Sequence, residues 1–329
     1  MVSPTKRAAV AASTAGAFVA AGATARLLNT RKRRQRRERR GEAVEFGSVR
    51  GRVHTVTASD GVRINVEVDD GPADAPTIVF VHGWVCTLDT WHYQRLALRG
   101  RHRMVLMDHR SHGGSGRSTP GGSTFAQLAD DLARVVTELV PSGPIVLVGH
   151  SMGGMTIQQL AADRPELFGD RVVGVALVAT SSGRLVRGNP MLQRLAPFIR
   201  LGGPALDWGR AFNSYSVIRR WAVGPDAAER HVDMTEEMIL RAPTHVLLDF
   251  YPAFTELDLR QGLTTLGEAR TVVVCGTEDL LTPIKHSERL AEAIPGASLV
   301  RIEGAGHMVM LESNVEVTRA VTELVESVA

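Results

Sequence analysis

Ser151 stands in Gly149-His150-Ser151-Met152-Gly153, directly after the apolar run Ile145-Val146-Leu147-Val148. That order predicts a strand, a sharp turn and a helix, with the serine at the apex. Such a turn strains the apical backbone and crowds its flanks, so little but glycine fits at 149 and 153. A serine presented this way is a candidate nucleophile. Its hydroxyl is a poor one until a base accepts the proton, and the base needs an orienting acid. Both are available downstream. Thr271-Val272-Val273-Val274-Cys275 has the β-branched composition of a buried strand and runs into Gly276-Thr277-Glu278-Asp279. Asp279 is the candidate acid, with Glu278 as its neighbouring rival. A further strand over Ser298 to Ile302 leads into Glu303-Gly304-Ala305-Gly306-His307, and His307 is the candidate base. The loop glycines let its ring reach the serine. His286 and His245 are rivals that each fall inside an expected helix.

The same chemistry needs N–H donors for a developing oxyanion. The backbone N–H of Met152, next after the serine, is one. The other is assigned to Trp84, in the loop His82-Gly83-Trp84 that follows the expected strand Thr77 to Val81. His82 is expected to hold that loop rather than take part in the reaction.

Positioning these groups requires a sheet. Strands are expected at Val53 to Val56, Ile64 to Val68, Ile78 to Val81, Met104 to Met107, Ile145 to Val148, Val173 to Val178, Thr271 to Cys275 and Ser298 to Ile302. Helices are expected at Phe125 to Val140, Thr156 to Asp163, Ser287 to Ala293 and Val315 to Val325. Their alternation predicts an α/β fold with a mostly parallel eight-stranded sheet covered on both faces. The first two strands, joined at Asp60-Gly61, should form an antiparallel hairpin. Between Gly183 and Gly267 the alternation stops. Pro190, Pro197, Pro204, Pro225, Pro243 and Pro252 punctuate this stretch, and Trp208, Phe212, Tyr215, Trp221, Phe250, Tyr251 and Phe254 lie along it. It reads as a helical cap inserted over the site, and its aromatics favour an apolar group in the pocket. The expected organisation is residues 1–50 as an N-terminal segment, 51–182 and 268–329 as the two parts of the core, and 183–267 as the cap.

At this point the residues resemble the α/β-hydrolase superfamily, from about Val53 to Val328. Ser59-Asp60-Gly61-Val62 matches as well. So does Asp108-His109-Arg110-Ser111-His112-Gly113-Gly114-Ser115, which is similar to the superfamily's D-x-R-x-x-G-x-S turn and is read as structural. Within the superfamily, His82 to Gln94 and Gly149 to Gly154 look most like bacterial cofactor-free haloperoxidases and related esterases. The resemblance implies a serine ester hydrolase first. It implies a perhydrolase second, in which the same triad makes a peracid from a carboxylic acid and peroxide. Epoxide hydrolases and haloalkane dehalogenases carry an aspartate at the elbow, so Ser151 disfavours both. Meta-cleavage-product hydrolases have an oxyanion loop richer in glycine than His82-Gly83-Trp84-Val85-Cys86. A hydrolase-fold binding protein without activity would typically lack a triad member.

The chain has 329 residues and a formal charge of +3, but the sign is unevenly distributed. Residues 1–40 hold eleven Lys and Arg against Glu38 alone, a balance of +10, which leaves −7 for the remainder. The basicity is therefore an N-terminal property, and no nucleic-acid partner is expected. Ala8 to Ala25 carries no charge and is followed by the Arg26 to Arg40 cluster. At 18 residues of mostly alanine and glycine it borders on the roughly 20 needed to span a bilayer. The expectation is membrane association through residues 8–40, with the catalytic body cytoplasmic by the positive-inside rule. A soluble basic tail and a cleaved targeting segment are the alternatives. Cys86 and Cys275 form neither a disulfide framework nor a metal pattern. No zinc, phosphate-loop or dinucleotide motif is present, so no cofactor is expected and the partner is a small-molecule ester.

Overall fold

The computed structural model describes residues 44–183, 185, 214–242 and 244–329. The uncharged stretch Ala8 to Ala25, the arginine cluster, Trp208 and Phe212 lie outside them. Among the described residues no helix is long and apolar enough to cross a membrane.

Eight strands form one sheet in the order β1-β2-β4-β3-β5-β6-β7-β8. They are β1 (Arg52–Thr57), β2 (Arg63–Asp69), β3 (Thr77–Val81), β4 (Met104–Met107), β5 (Ile145–His150), β6 (Val172–Val178), β7 (Arg270–Gly276) and β8 (Ser298–Ile302). β1 and β2 form the expected antiparallel hairpin, and β2 joins β4 antiparallel. Every pairing from β4 through β8 is parallel.

Parallel strands buried on both faces should read as continuous apolar runs, with alternate residues feeding opposite layers. Here Ile78, Phe80, Met104, Leu106, Val146 and Val148 enter one core, and Val79, Val81, Val105, Met107, Ile145 and Leu147 enter the other. The first core is covered by α1 (His92–Leu98) and α7 (Asn314–Glu326), the second by α2 (Phe125–Leu139), α3 (Met152–Asp163) and α6 (Ile284–Ala293). Helix α2 starts where Thr124 caps it, its side chain accepting from the Gln127 N–H at 3.2 Å.

Between β6 and β7, residues 214–221 are helical, followed by α4 (Glu229–Arg241), α5 (Thr244–Thr255) and the short turn Leu263–Leu266. Pro252, read above as punctuation, lies inside α5. Phe250 and Phe254 of that helix are buried with Phe125 and Met155, and this apolar seat holds it across the proline. Among the described residues several short elements lie outside the expected ones, and three of them pack into the first core. A 3-10 turn at Leu88–Trp91, α1 behind it, and the turn Val309–Glu312 all pack into the first core through Trp91, Leu98 and Met310.

The chain passes from β3 to β4 on one side and then returns to β5 on the other side of β3. Loops leaving neighbouring strands in opposite directions open a crevice at the carboxyl ends. The loops after β3 and β5 are those that carry Trp84 and Ser151.

Candidate active site

Helix α3 begins at Met152, so Ser151 stands where serine is normally favoured as a cap. It makes no cap hydrogen bond, however, and its backbone sits at φ 50°, ψ −113°. For a residue with a Cβ this conformation costs on the order of 1–3 kcal/mol and is held by its surroundings. Its N–H donates to the Val178 carbonyl at 2.9 Å, and its carbonyl accepts from the Thr180 hydroxyl at 2.7 Å. The glycines beside it are explained by contact. A Cβ on Gly153 would lie 2.2 Å from the Val81 carbonyl oxygen, and one on Gly149 would lie 2.7 Å from that of Gly153.

Asp279 is buried in the turn after β7, whereas Glu278 points to solvent. Oδ1 of Asp279 accepts from the Leu281 and Thr282 N–H groups, each at 2.8 Å. Oδ2 accepts from the Thr282 hydroxyl at 2.7 Å and from Nδ1 of His307 at 2.8 Å. The carboxylate is thus fully partnered, and the His307 proton sits on Nδ1, leaving Nε2 as the basic nitrogen. Of the rivals, His286 lies in α6 with Nδ1 2.8 Å from the Ser181 hydroxyl, and His245 lies in α5.

The His307 loop is tied to the serine turn through His150. Nε2–H of His150 donates to the His307 carbonyl at 3.1 Å, and the two rings are 4.8 Å apart. His150 is buried, and desolvation lowers its pKa well below the ordinary value, so the ring is neutral. Its Nδ1 has no hydrogen-bond partner among the described residues. Gly83 closes over that nitrogen: a Cβ there would be 2.6 Å from His150 Nδ1 and 3.3 Å from the Ser151 Cβ. The loop after β3 therefore lies directly against the serine.

Three more buried histidines shape that loop. His82 has Nδ1 2.7 Å from the Gly83 carbonyl, and its Nε2 accepts from the His109 N–H at 3.0 Å. His112 donates from Nδ1 to the Arg110 carbonyl at 2.8 Å, and its Nε2 accepts from the Val85 N–H at 3.1 Å. Val85 is held at φ 55°, a strained region for a β-branched residue. Burial lowers His82 to about 4 and His112 to about 3, which keeps both as acceptors. The Asp108 to Ser115 turn that supplies His109 and His112 is structural in its contacts. Asp108 accepts from the N–H groups of Leu88 and Gly114 and from the Asn65 amide, each within 2.9 Å. Arg110, fully buried, is paired with Asp131 at 2.7 Å and with Asp60 at 2.8 Å.

Among the described residues neither the Trp84 nor the Met152 backbone N–H has a hydrogen-bond partner. Met152 opens a helix, where the first N–H groups have no intrahelical acceptor. The Trp84 indole donates to the Val246 carbonyl of α5 at 3.3 Å and packs on Phe254 at 5.0 Å. Trp84, Met152, Phe125, Phe250 and Phe254 belong to one buried apolar cluster, so α5 is packed through hydrocarbon on the loop after β3 and on the start of α3. No group of His, Cys, Asp and Glu among the described residues could hold a metal ion.

Three residues around the site were not singled out from the sequence. Thr282 stands three residues past Asp279, as in an Asx turn, which is a local pattern that could have been read. His150 and His112 act only through contacts made by the fold.

The chain belongs to the alpha/beta hydrolase family, whose pattern matches residues 78–320. A bifunctional esterase/perhydrolase from Acinetobacter calcoaceticus is 29% identical over 276 residues, 77% of this chain and 92% of that protein. A dihydrolipoyllysine-residue acetyltransferase component of an acetoin cleaving system from Cupriavidus necator is 30% identical over 265 residues, 77% of this chain. The chain spans 64% of that protein's length. Among solved structures, a thermophilic esterase from Thermogutta terrifontis superposes with a TM-score of 0.69 at 26% identity, covering 84% of this chain and 99% of that one.

Proposed function

We propose that the protein hydrolyses carboxylic esters through an acyl-enzyme. Ser151 Oγ attacks the acyl carbon while His307 Nε2 takes its proton, and Asp279 keeps the imidazole in the required tautomer. The N–H groups of Trp84 and Met152 hold the oxyanion, the alcohol leaves with the proton from His307, and water activated by the same nitrogen releases the acid. The observation that carries this reading is the 2.8 Å contact between His307 Nδ1 and a fully partnered Asp279. It leaves the opposite ring nitrogen as the acceptor, in a loop tied to the residue before Ser151. The apolar cluster of Phe125, Phe250, Phe254 and Trp84 that packs on the loop after β3 supports a hydrophobic acyl or alcohol group. We take the stretch between β6 and β7 as the cap over it.

The test is fluorophosphonate labelling of the wild type and of Ser151→Ala, with nitrophenyl esters of graded chain length. Labelling and turnover that vanish in the variant are expected, with a preference for longer acyl chains over acetate. An unlabelled wild type without ester turnover would refute the reading. A perhydrolase is the second reading, favoured by the relative from Acinetobacter calcoaceticus that is named for both activities. Peroxide-dependent bromination in acetate buffer, absent in Ser151→Ala, is its signature.

A further inference from the structure

Glu312 lies outside the triad, at the end of the short helical turn that follows the histidine loop. Its Oε2 accepts from the Gly224 N–H at 2.7 Å and from the Gly306 N–H at 3.1 Å, and its Oε1 lies 3.2 Å from the same Gly306 nitrogen. Gly306 is the residue before His307. Gly224 belongs to the stretch that runs from the helical residues 214–221 into α4, between β6 and β7. One carboxylate therefore bridges the base loop and the inserted segment.

The surroundings show that this bridge is tightly built. A Cβ on Gly224 would sit 2.0 Å from the Gly304 carbonyl oxygen, and one on Gly306 would sit 2.4 Å from the Gly224 nitrogen. Two backbones thus touch with no room for a side chain, which is one use of glycine. The residue after His307 is tied as well, since the Met308 N–H donates to the Ala222 carbonyl at 2.9 Å. The base loop is consequently fixed on both sides of His307 by the inserted segment, while His150 holds the carbonyl of His307 itself. The titratable groups facing Glu312 are Asp279 and His307. Burial raises its pKa, opposed by the two backbone N–H groups. The carboxylate is thus kept in this enclosed place by the donors it holds.

We propose that Glu312 is a positioning residue that couples the seating of the inserted segment to the placement of the His307 base. Displacing the segment at Gly224 removes one of the two donors that fix the carboxylate, and the carboxylate then no longer fixes Gly306. The base is competent when the segment is seated and loses its alignment when the segment lifts. The proposal rests on His307 being the base.

The experiment uses the full chain with Glu312→Gln, Glu312→Leu, Gly224→Ala and the double variant Glu312→Leu/Gly224→Ala. Ester turnover, fluorophosphonate labelling rate, thermal melting and the downfield proton resonance of His307 Nδ1 are recorded. Glu312→Gln is isosteric: its carbonyl oxygen can take the Oε2 place on both N–H groups, but the charge is lost and its N–H₂ then confronts the Gly306 N–H from the Oε1 place, at 3.2 Å. A loss on the order of tenfold to hundredfold in kcat is expected from misplacing the base, with KM moved far less. The labelling rate should fall by the same factor, and the resonance should broaden or shift. Gly224→Ala should do the same without touching the triad, and the double variant should lose less than the product of the two single losses. Wild-type kcat in Glu312→Gln, fully multiplicative losses, or reduced kcat with an unchanged resonance would each overturn the proposal. Should Glu312→Leu fail to melt cooperatively, Glu312→Gln and Gly224→Ala decide, and their own double variant replaces the cycle. An inactive, unlabelled wild type would instead refute the ester-hydrolase reading. The resonance, which needs no turnover, would still report on Glu312.

Discussion

Asp279→Asn separates orientation from packing at this site. Both oxygens of Asp279 are in use, and their partners differ. Oδ1 accepts from two backbone N–H groups, at Leu281 and Thr282, while Oδ2 faces the Thr282 hydroxyl and His307 Nδ1. An asparagine must keep its carbonyl oxygen on the two backbone donors, because its N–H₂ there would face them. The amide nitrogen is then forced onto the His307 side. His307 must answer with a bare Nδ1, and its proton moves to Nε2, the nitrogen that should accept from Ser151. The side chain stays in place and the imidazole stays in place, but the tautomer is wrong. The expected loss is about 10⁴-fold in kcat, or about 5.5 kcal/mol at about 1.36 kcal/mol per decade. The assay is nitrophenyl ester hydrolysis with the fluorophosphonate labelling rate alongside, and a thermal melt to show that the fold survives. The thiol of Cys86, pushed up to about 12 by burial, offers no competing nucleophile near the loop. A variant that keeps activity within about tenfold of wild type while folded would refute the assignment of Asp279 as orienter, because a mere structural acceptor would not set the tautomer.

Three further outcomes are expected. Gly83→Ala puts a Cβ 2.6 Å from His150 Nδ1 and should displace the Trp84 N–H, cutting kcat by about 10²–10³ with little change in melting temperature; an unchanged kcat would remove this loop from the oxyanion role. Arg110→Met leaves Asp131 buried without its partner at 2.7 Å and should cost about 3–5 kcal/mol in urea denaturation, much of it recovered in Arg110→Met/Asp131→Leu; equal stability of the single and double variants would contradict the pairing. The third concerns acid. His82, His109, His112, His150 and His231 all have pKa values lowered, first by desolvation. Each is neutral in the folded chain and protonated in the unfolded one between its lowered value and about 6.5, so stability is full above that value and is lost as pH falls through the window. Asp108, pushed up to about 6 by burial, opposes them by releasing its proton on unfolding. A net uptake of about two or more protons on unfolding near pH 5.5, a slope of about 2.7 kcal/mol per pH unit or steeper, is expected from urea midpoints taken across pH; a flat profile would show the histidines to be solvated.

Much of this was legible because the signals were local. The apolar runs at 77–81, 145–148 and 271–275 had to be buried strands, and the glycines around Ser151 had to serve a crowded turn. Nothing local separates Asp279 from its neighbour Glu278; the difference is one of burial, the first enclosed and the second exposed. What escaped was of another kind. Helix α1 is short, and its place is set by packing of Leu98 and Trp91 into the first core rather than by its own periodicity. Pro252 looked like a boundary because proline removes a hydrogen bond, yet Phe250 and Phe254 hold that helix from outside. Glu312 and His150 carry nothing local that marks them, since their partners lie at Gly224 and at His307. Contacts across such separations have no imprint on the neighbouring residues.

The bond from His150 to the His307 carbonyl joins positions 157 residues apart. Strand β8, the last strand of the sheet in chain order, lies at its edge, and His307, the proposed base, follows it. During synthesis the serine turn and the loop after β3 can assemble long before His307 has left the ribosome. The growing chain would display a strained, half-built crevice, with its hydroxyl shaped for reaction but no partner to take the proton. On the proposed mechanism, chemistry would switch on only when β8 docks beside β7 and brings His307 to the serine turn, so the onset of turnover would report the docking of that strand.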